Sequence, residues 1–355
     1  MSSSSPPLVF WSPQTRLHDP RHEVWVGVAT EGTEVPARVD AILSRLGEFP
    51  CHEVTGGEGL AAAGVVHSPE LLGHLRSAYE EWQSGPYRDL VGQERVVPYL
   101  FPTPAMTGRM PQHVPTAVHA RAGAFAYDTM TLLGPGSWSA IEAAADCAWS
   151  AADAVAAGRT RSAYALCRPP GHHATTAGYG GSCYVNNAAL AAQVLRDRGV
   201  GRVAVIDLDA HHGNGTQEIF WSRADVLYGS VHVDPGAGWF PHYVGFADET
   251  GADEGLGCTL NLPLAEGTAD PTWLAGVERL GEWVTAAGCA ALVVSLGVDA
   301  AVDDPESPLQ ITTGGYAAAG ALLGGLGLPT VLVQEGGYHL PTLGDLVAAH
   351  LGGYS

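Results

Sequence analysis

The sequence predicts an α/β protein built on a mostly parallel sheet, and three observations predict it. From residue 139 onward, short β-branched runs alternate with helix-length segments, the pattern of consecutive βαβ units. The central run, VAVIDL (203–208), has apolar residues at five of six positions, as a strand covered on both faces requires. Several such runs end abruptly in histidine, aspartate or tyrosine, where open α/β sheets place their sites.

Taken in order, the chain opens with MSSSSPP, residues 1–7, which reads as a flexible tail without the basic and apolar regions of a signal peptide. No run of 18 apolar residues follows, so a cytosolic protein is expected. From Leu8 to Pro135 the pattern is irregular and rich in Pro, Gly and His. One helix is clear there: Ser68 as N-cap and Pro69 at the first helical position open a segment running to Trp82. The proline-rich stretch 84–118 reads as a rim around a site. His18, His22, His52, His67, His74, His113 and His119 are expected to be surface or hydrogen-bonded histidines rather than ligands.

From Ser139 the order sharpens. Ser139-Ala140-Ile141-Glu142 predicts a capping box for an Ala-rich helix that Gly158 ends. A strand over 163–167 runs into Arg168-Pro169-Pro170-Gly171-His172-His173, and Asn186-Asn187 caps a helix to Arg198. Strands are expected at 203–208, 226–233, 291–296 and 330–333, with helices from Pro271 to about 287 and Thr313 to 325. With no repeat and no linker after 139, residues 8–355 read as one domain.

Composition narrows the partners. There are 37 acidic residues against 17 basic ones, all arginine, for a formal net charge of −20. This excludes nucleic acid and anionic membranes, whose phosphates need basic patches, and favours cationic small molecules or basic peptides. Six scattered cysteines without a CxxC pair read as free thiols of a reducing compartment.

In a parallel sheet all strand carboxyl ends share one edge, so His172, His173, the run Asp207–Asn214, Asp299 and Tyr338 can converge. Asp209, His211 and Asp299 form a three-ligand set with an open position, as catalytic zinc sites have. His172 and His173 are the candidate acid/base pair, oriented by Asp207 and Asn214. Tyr338, after two glycines, is placed to donate to a developing oxyanion. These are the parts of metal-assisted amide hydrolysis.

RPPGHHA (168–174), DLDAHHGNGT (207–216), SLGVD (295–299) and EGGY (335–338) resemble, in this order, the histone deacetylase and acetylpolyamine amidohydrolase family. GGSCYVNNAALAA (180–192), HVDP (232–235) and TLNLPLAEGT (259–268) extend the resemblance, which spans about 122–352. It implies the arginase-deacetylase fold, with helices on both sheet faces and long loops around the site. It implies zinc, or ferrous iron, on Asp209, His211 and Asp299, with His173 as general base and His172, paired with Asp207, as electrostatic partner. Asn214 behind His173 is similar to the class II and polyamine branches. A structural potassium or sodium ion is implied at Asp207, Asp209, His211 and Ser230.

For the substrate channel the resemblance implies two aromatic walls. Phe240 matches one; beside Gly181, Ser182 stands where the other is usual, which implies either a wider wall there or Tyr179 in its place. Glu306, seven residues past Asp299, matches the acid that meets a distal ammonium in the polyamine-selective eukaryotic relative, and Asp128 is a candidate rim acid. The expected substrate is a small cationic acylated amine, most readily an acetylpolyamine. A protein lysine, a biosynthetic small molecule, an inactive binding module and guanidinium hydrolysis are the alternatives, the last needing a richer two-metal cluster. The first 135 residues are candidates for a homodimer interface.

Overall fold

A computed structural model describes residues 5–86 and 93–355. Four of the seven tail residues and residues 87–92 of the proline-rich stretch lie outside it. Among the described residues, eight strands form one wholly parallel sheet. In chain order the strands are β1 (Leu8–Trp11), β2 (His22–Trp25), β3 (Val28–Glu31), β4 (Cys51–Glu53), β5 (Ser162–Ala165), β6 (Val203–Asp207), β7 (Val226–Val233), β8 (Thr259–Leu264), β9 (Ala291–Leu296) and β10 (Thr330–Gln334). The sheet order is β4-β1-β5-β10-β9-β6-β7-β8, while β2 and β3 pair separately as an antiparallel hairpin.

Side-chain alternation sorts the sheet into two cores. On β6, Val203 and Val205 face one core and Ala204 and Ile206 the other. The first core packs under the helices Ser137–Ala156 and Asn187–Asp197. The second packs under Ala37–Leu43, Asp270–Ala286, Thr313–Gly324 and Leu340–Leu351. A strand buried on both faces has no polar side to show, hence its continuous apolar run.

Most expected elements from 162 onward appear within a residue or two. Asn186 caps the 187–197 helix by accepting from Ala189 N, and Ser68 caps Pro69–Ser84 by accepting from Leu71 N. The capping box at 139–142 does not form. That helix starts two residues earlier, at Ser137, behind Gly136 in the left-handed region. The Ser137 hydroxyl is occupied instead by Gly134 N and the His18 ring, which ties the helix start to the irregular N-terminal segment. That segment is also less irregular than its composition predicts, since β1 and β4 extend the main sheet. Both are only three or four residues long, β1 pairing with β5 and β4 with β1, so their place in the sheet is supplied by tertiary contact.

Candidate functional site

Strands β5, β10, β9 and β6 are consecutive neighbours, and each delivers one part of the expected site from its carboxyl end. The loop after β5 carries His172 and His173; β6 ends at Asp207 and leads to Asp209, His211 and Asn214; Asp299 follows β9 and Tyr338 follows β10. Adjacent strands bring residues distant in sequence onto one short stretch of edge.

Ligand-capable atoms of Asp209, His211 and Asp299 all lie within 4.8 Å of one another. His211 Nδ1 is 3.1 Å from Asp299 Oδ2 and 3.4 Å from Asp209 Oδ1. Donors about 2.1 Å from a shared ion in tetrahedral array stand about 3.4 Å apart, so the spacing fits a divalent cation. Backbone groups aim the carboxylates: Gly336 N and His211 N donate to Asp209, and Ala210 N donates to Asp299. Residue 336 must be glycine, because a Cβ there would sit 2.5 Å from Asp299 Oδ2 and 2.7 Å from Asp209 Oδ2. Burial and the neighbouring Asp209 charge push the Asp299 carboxyl up to about 7. Two buried carboxylates crowded in this way are relieved by a cation between them.

The two histidine rings lie against each other, tilted by 41° with centroids 3.9 Å apart, but have different partners. His172 Nδ1 donates to Asp207 Oδ2 at 3.0 Å, and Tyr228 donates to the same oxygen at 3.2 Å. Burial works against the His172 cation, but Asp209 and Asp207 outweigh it and push its pKa up to about 10. His173 Nδ1 lies 2.8 Å from the Asn214 side-chain oxygen, which only accepts, so that ring nitrogen carries the proton and Nε2 is left basic. Burial, together with the charge of His172, holds His173 well below the ordinary histidine value. Neighbouring groups pushed apart in this way are suited to separate roles.

Tyr338 sits on a loop braced from below by residues that sequence patterns did not single out. Asp304 Oδ2 accepts from Tyr338 N at 2.6 Å and His339 N at 3.1 Å. Buried Arg38 donates to the carbonyls of Gly337 and Glu335, lies 5.0 Å from the Tyr338 ring, and is neutralised by Glu34 at 2.7 Å. Glu335 accepts from Gly171 N and His172 N, joining the tyrosine loop to the histidine loop. Asp304 was within reach of sequence reasoning, two residues before Glu306; the burial of Arg38 leaves no such trace.

At the rim, Phe240 packs edge-on against His173 with centroids 4.7 Å apart. Gly181 has φ +57°, and a Cβ there would meet the His173 ring at 2.3 Å and the Phe240 ring at 2.8 Å. Gly181→Ala is therefore expected to cost at least 10-fold in kcat/KM by displacing His173, with kcat assays and circular dichroism separating this from unfolding. Ser182 follows in the left-handed region, its N–H donating to Thr131 Oγ1. Asp128 lies at the rim but holds four donors of its own chain: Gly181 N, Met130 N, Thr131 N and the Thr131 hydroxyl. Tyr179, the expected filler beside Ser182, turns into the core and stacks on Tyr184 and His74. The ring facing Phe240 belongs to Tyr127, at a centroid distance of 6.3 Å. Glu306 is half-buried, accepts from the Thr33 hydroxyl, and is close enough to Tyr338 and His211 for their charges to be felt mutually.

Buried carboxylates and an imidazole aimed at one point, beside a histidine pair and a phenol, define the class of metal-dependent hydrolases. The histone deacetylase domain matches residues 33–354, and the chain belongs to that family: it is a deacetylase of the amidohydrolase type. It is 39% identical over 340 residues to acetylpolyamine amidohydrolase 2 of Pseudomonas aeruginosa, covering 95% of each chain. It is 40% identical over 351 residues to the acetylpolyamine amidohydrolase of Burkholderia pseudomallei, covering 98% of each. The crystal structure of an acetylpolyamine aminohydrolase from Burkholderia pseudomallei superposes with a TM-score of 0.91 at 39% identity, over 98% of both chains. The family is generally zinc-dependent. Among the described residues, no helix is long and apolar enough to cross a membrane.

Proposed function

We propose that this deacetylase acts on acetylated polyamines, that Asp209, His211 and Asp299 hold its divalent ion, and that residues 8–355 form one catalytic unit. The observation that carries the substrate choice is the acidic rim beside Tyr338. Glu306 there is joined by Glu23 of the β2–β3 hairpin, whose carboxyl is pushed up to about 8 by burial and by the charge of Glu306. Burial raises both carboxyls, and a cationic chain entering beside them favours their charged forms. The names of the relatives and the net charge of −20 point the same way.

When bound, zinc or ferrous iron polarises the amide carbonyl and lowers the pKa of water. His173 takes the proton of the attacking water at Nε2, with Nδ1 fixed by Asn214, and returns it to the leaving amine. His172, kept cationic by Asp207, stabilises the negative charge that develops beside it. The Tyr338 phenol, which burial and the Glu306 charge hold protonated, donates to the tetrahedral oxyanion. A potassium or sodium ion at Asp207, Asp209, His211 and Ser230 is part of this proposal; Asp207 and Ser230 are register partners on β6 and β7.

Released acetate measured over a panel of N-acetylputrescine, N-acetylspermidine and acetyl-lysine peptides tests the substrate. Glu306→Leu is expected to lower kcat/KM for the acetylpolyamines roughly 10- to 100-fold, the loss of one partly desolvated charge pair, and to leave acetyl-lysine peptides nearly unchanged. Cleavage of the peptides with both acetylpolyamines untouched by the unmodified enzyme would overturn the proposal.

A further inference from the structure

We infer that Tyr127 is the second wall of the acyl-amine channel and so sets which amine chains enter; this rests on the deacetylase site proposed above. Ser182 leaves the usual wall without a ring, and Tyr179 is fully buried elsewhere. Tyr127 lies nearly parallel to Phe240, at 18° between ring planes, and Phe240 in turn packs edge-on against His173. Its ring packs over Gly180, where a Cβ would come within 2.2 Å of Cε2. A bulkier residue at 180 would expel it.

The ring is fixed at three points. Its hydroxyl donates to the His173 carbonyl at 2.6 Å, and its own N–H donates to the Tyr179 carbonyl at 3.1 Å. The next residue, Asp128, grips Gly181 N at 2.6 Å and binds the Thr131 whose hydroxyl holds Ser182 N. The segment 125–131 and the turn 178–183 are thereby fastened together, so a ring borne by one substitutes for a ring missing from the other. Tyr127 is still 37% exposed, as a ring that contacts an entering ligand must be.

Spacing gives the chemical class. A methylene chain between two rings needs contacts of about 3.5–4.0 Å on each side, hence about 7–8 Å in all. The centroids here stand 6.3 Å apart. A slot this narrow between two near-parallel rings fits an unbranched polymethylene chain better than a branched one.

Relocating the ring tests this. KM and kcat are measured on the zinc-loaded full chain for N-acetylputrescine and for a fluorogenic acetyl-lysine amide, both of which place methylenes between the walls. Tyr127→Ala is expected to raise KM at least 10-fold for both with a smaller change in kcat; Tyr127→Phe keeps KM and lowers kcat. Adding Ser182→Phe to the alanine variant, which returns a ring to the other loop, restores KM to within about threefold. If Tyr127→Ala loses its native circular dichroism, Tyr127→Leu is read in its place, with the same direction expected. An unchanged KM in the folded variant, or no restoration by Ser182→Phe in a folded, zinc-loaded protein, overturns the inference. Activity of the unmodified enzyme on the acetyl-lysine amide alone overturns the polyamine substrate, while Tyr127 is still judged on that amide.

Discussion

Tyr338→Phe is expected to lower kcat by about 10²- to 10³-fold, the cost of removing one aimed oxyanion donor. The expectation depends on how the residue is held. Its backbone N–H is fixed by Asp304 and the preceding carbonyl by Arg38, so phenylalanine keeps the loop, the ring position and the contact with the guanidinium. Only the hydroxyl is lost. Circular dichroism, melting temperature and zinc content should match the parent, and KM should move far less than kcat because the missing interaction is made in the transition state. Activity within threefold of the parent would take Tyr338 out of the mechanism.

Asp299→Ala should have the larger effect, reducing turnover to background. The substitution leaves two protein donors where three stand, and it strands Ala210 N, which donates to Asp299 Oδ1 at 2.8 Å. Altering a residue that merely supports a ligand weakens metal affinity about 10- to 100-fold; removing a ligand should exceed that. Zinc content after dialysis and competition with a chromogenic chelator measure it directly. Full zinc occupancy in the variant would contradict the ligand set. Removing the ion from the unmodified enzyme with a chelator should abolish turnover reversibly, with activity returning on zinc addition.

The sheet and the edge where the candidate site residues gather were largely legible because each depends on local pattern. A strand buried on both faces must be apolar throughout, and the abrupt change at Asp207 marks where it leaves the core. The groups that aim the catalytic side chains were harder to see. Arg38 looks like any surface helix arginine until the Glu335–Tyr338 loop closes over it and Glu34 neutralises it. Asp128 shows as an acid near the mouth, but only the folded chain reveals that it clasps Gly181 and Thr131. Tyr127 lies on a different loop from Ser182, more than fifty residues away in sequence, so nothing in the turn around Ser182 points to it. A contact between two loops leaves no periodicity in either.

The hairpin β2–β3 bears on how this enzyme can diverge. It lies outside the main sheet, meets the rim through Glu23, and is pinned where Thr129 donates to the Val24 carbonyl at 2.6 Å. None of the groups that perform the chemistry hangs from it. One acid of the rim is thus carried by a segment that bears none of the candidate ligands or proton-transfer groups, so replacing Glu23 should alter the charge met by an entering amine while the groups around Asp209 and His173 stay in place.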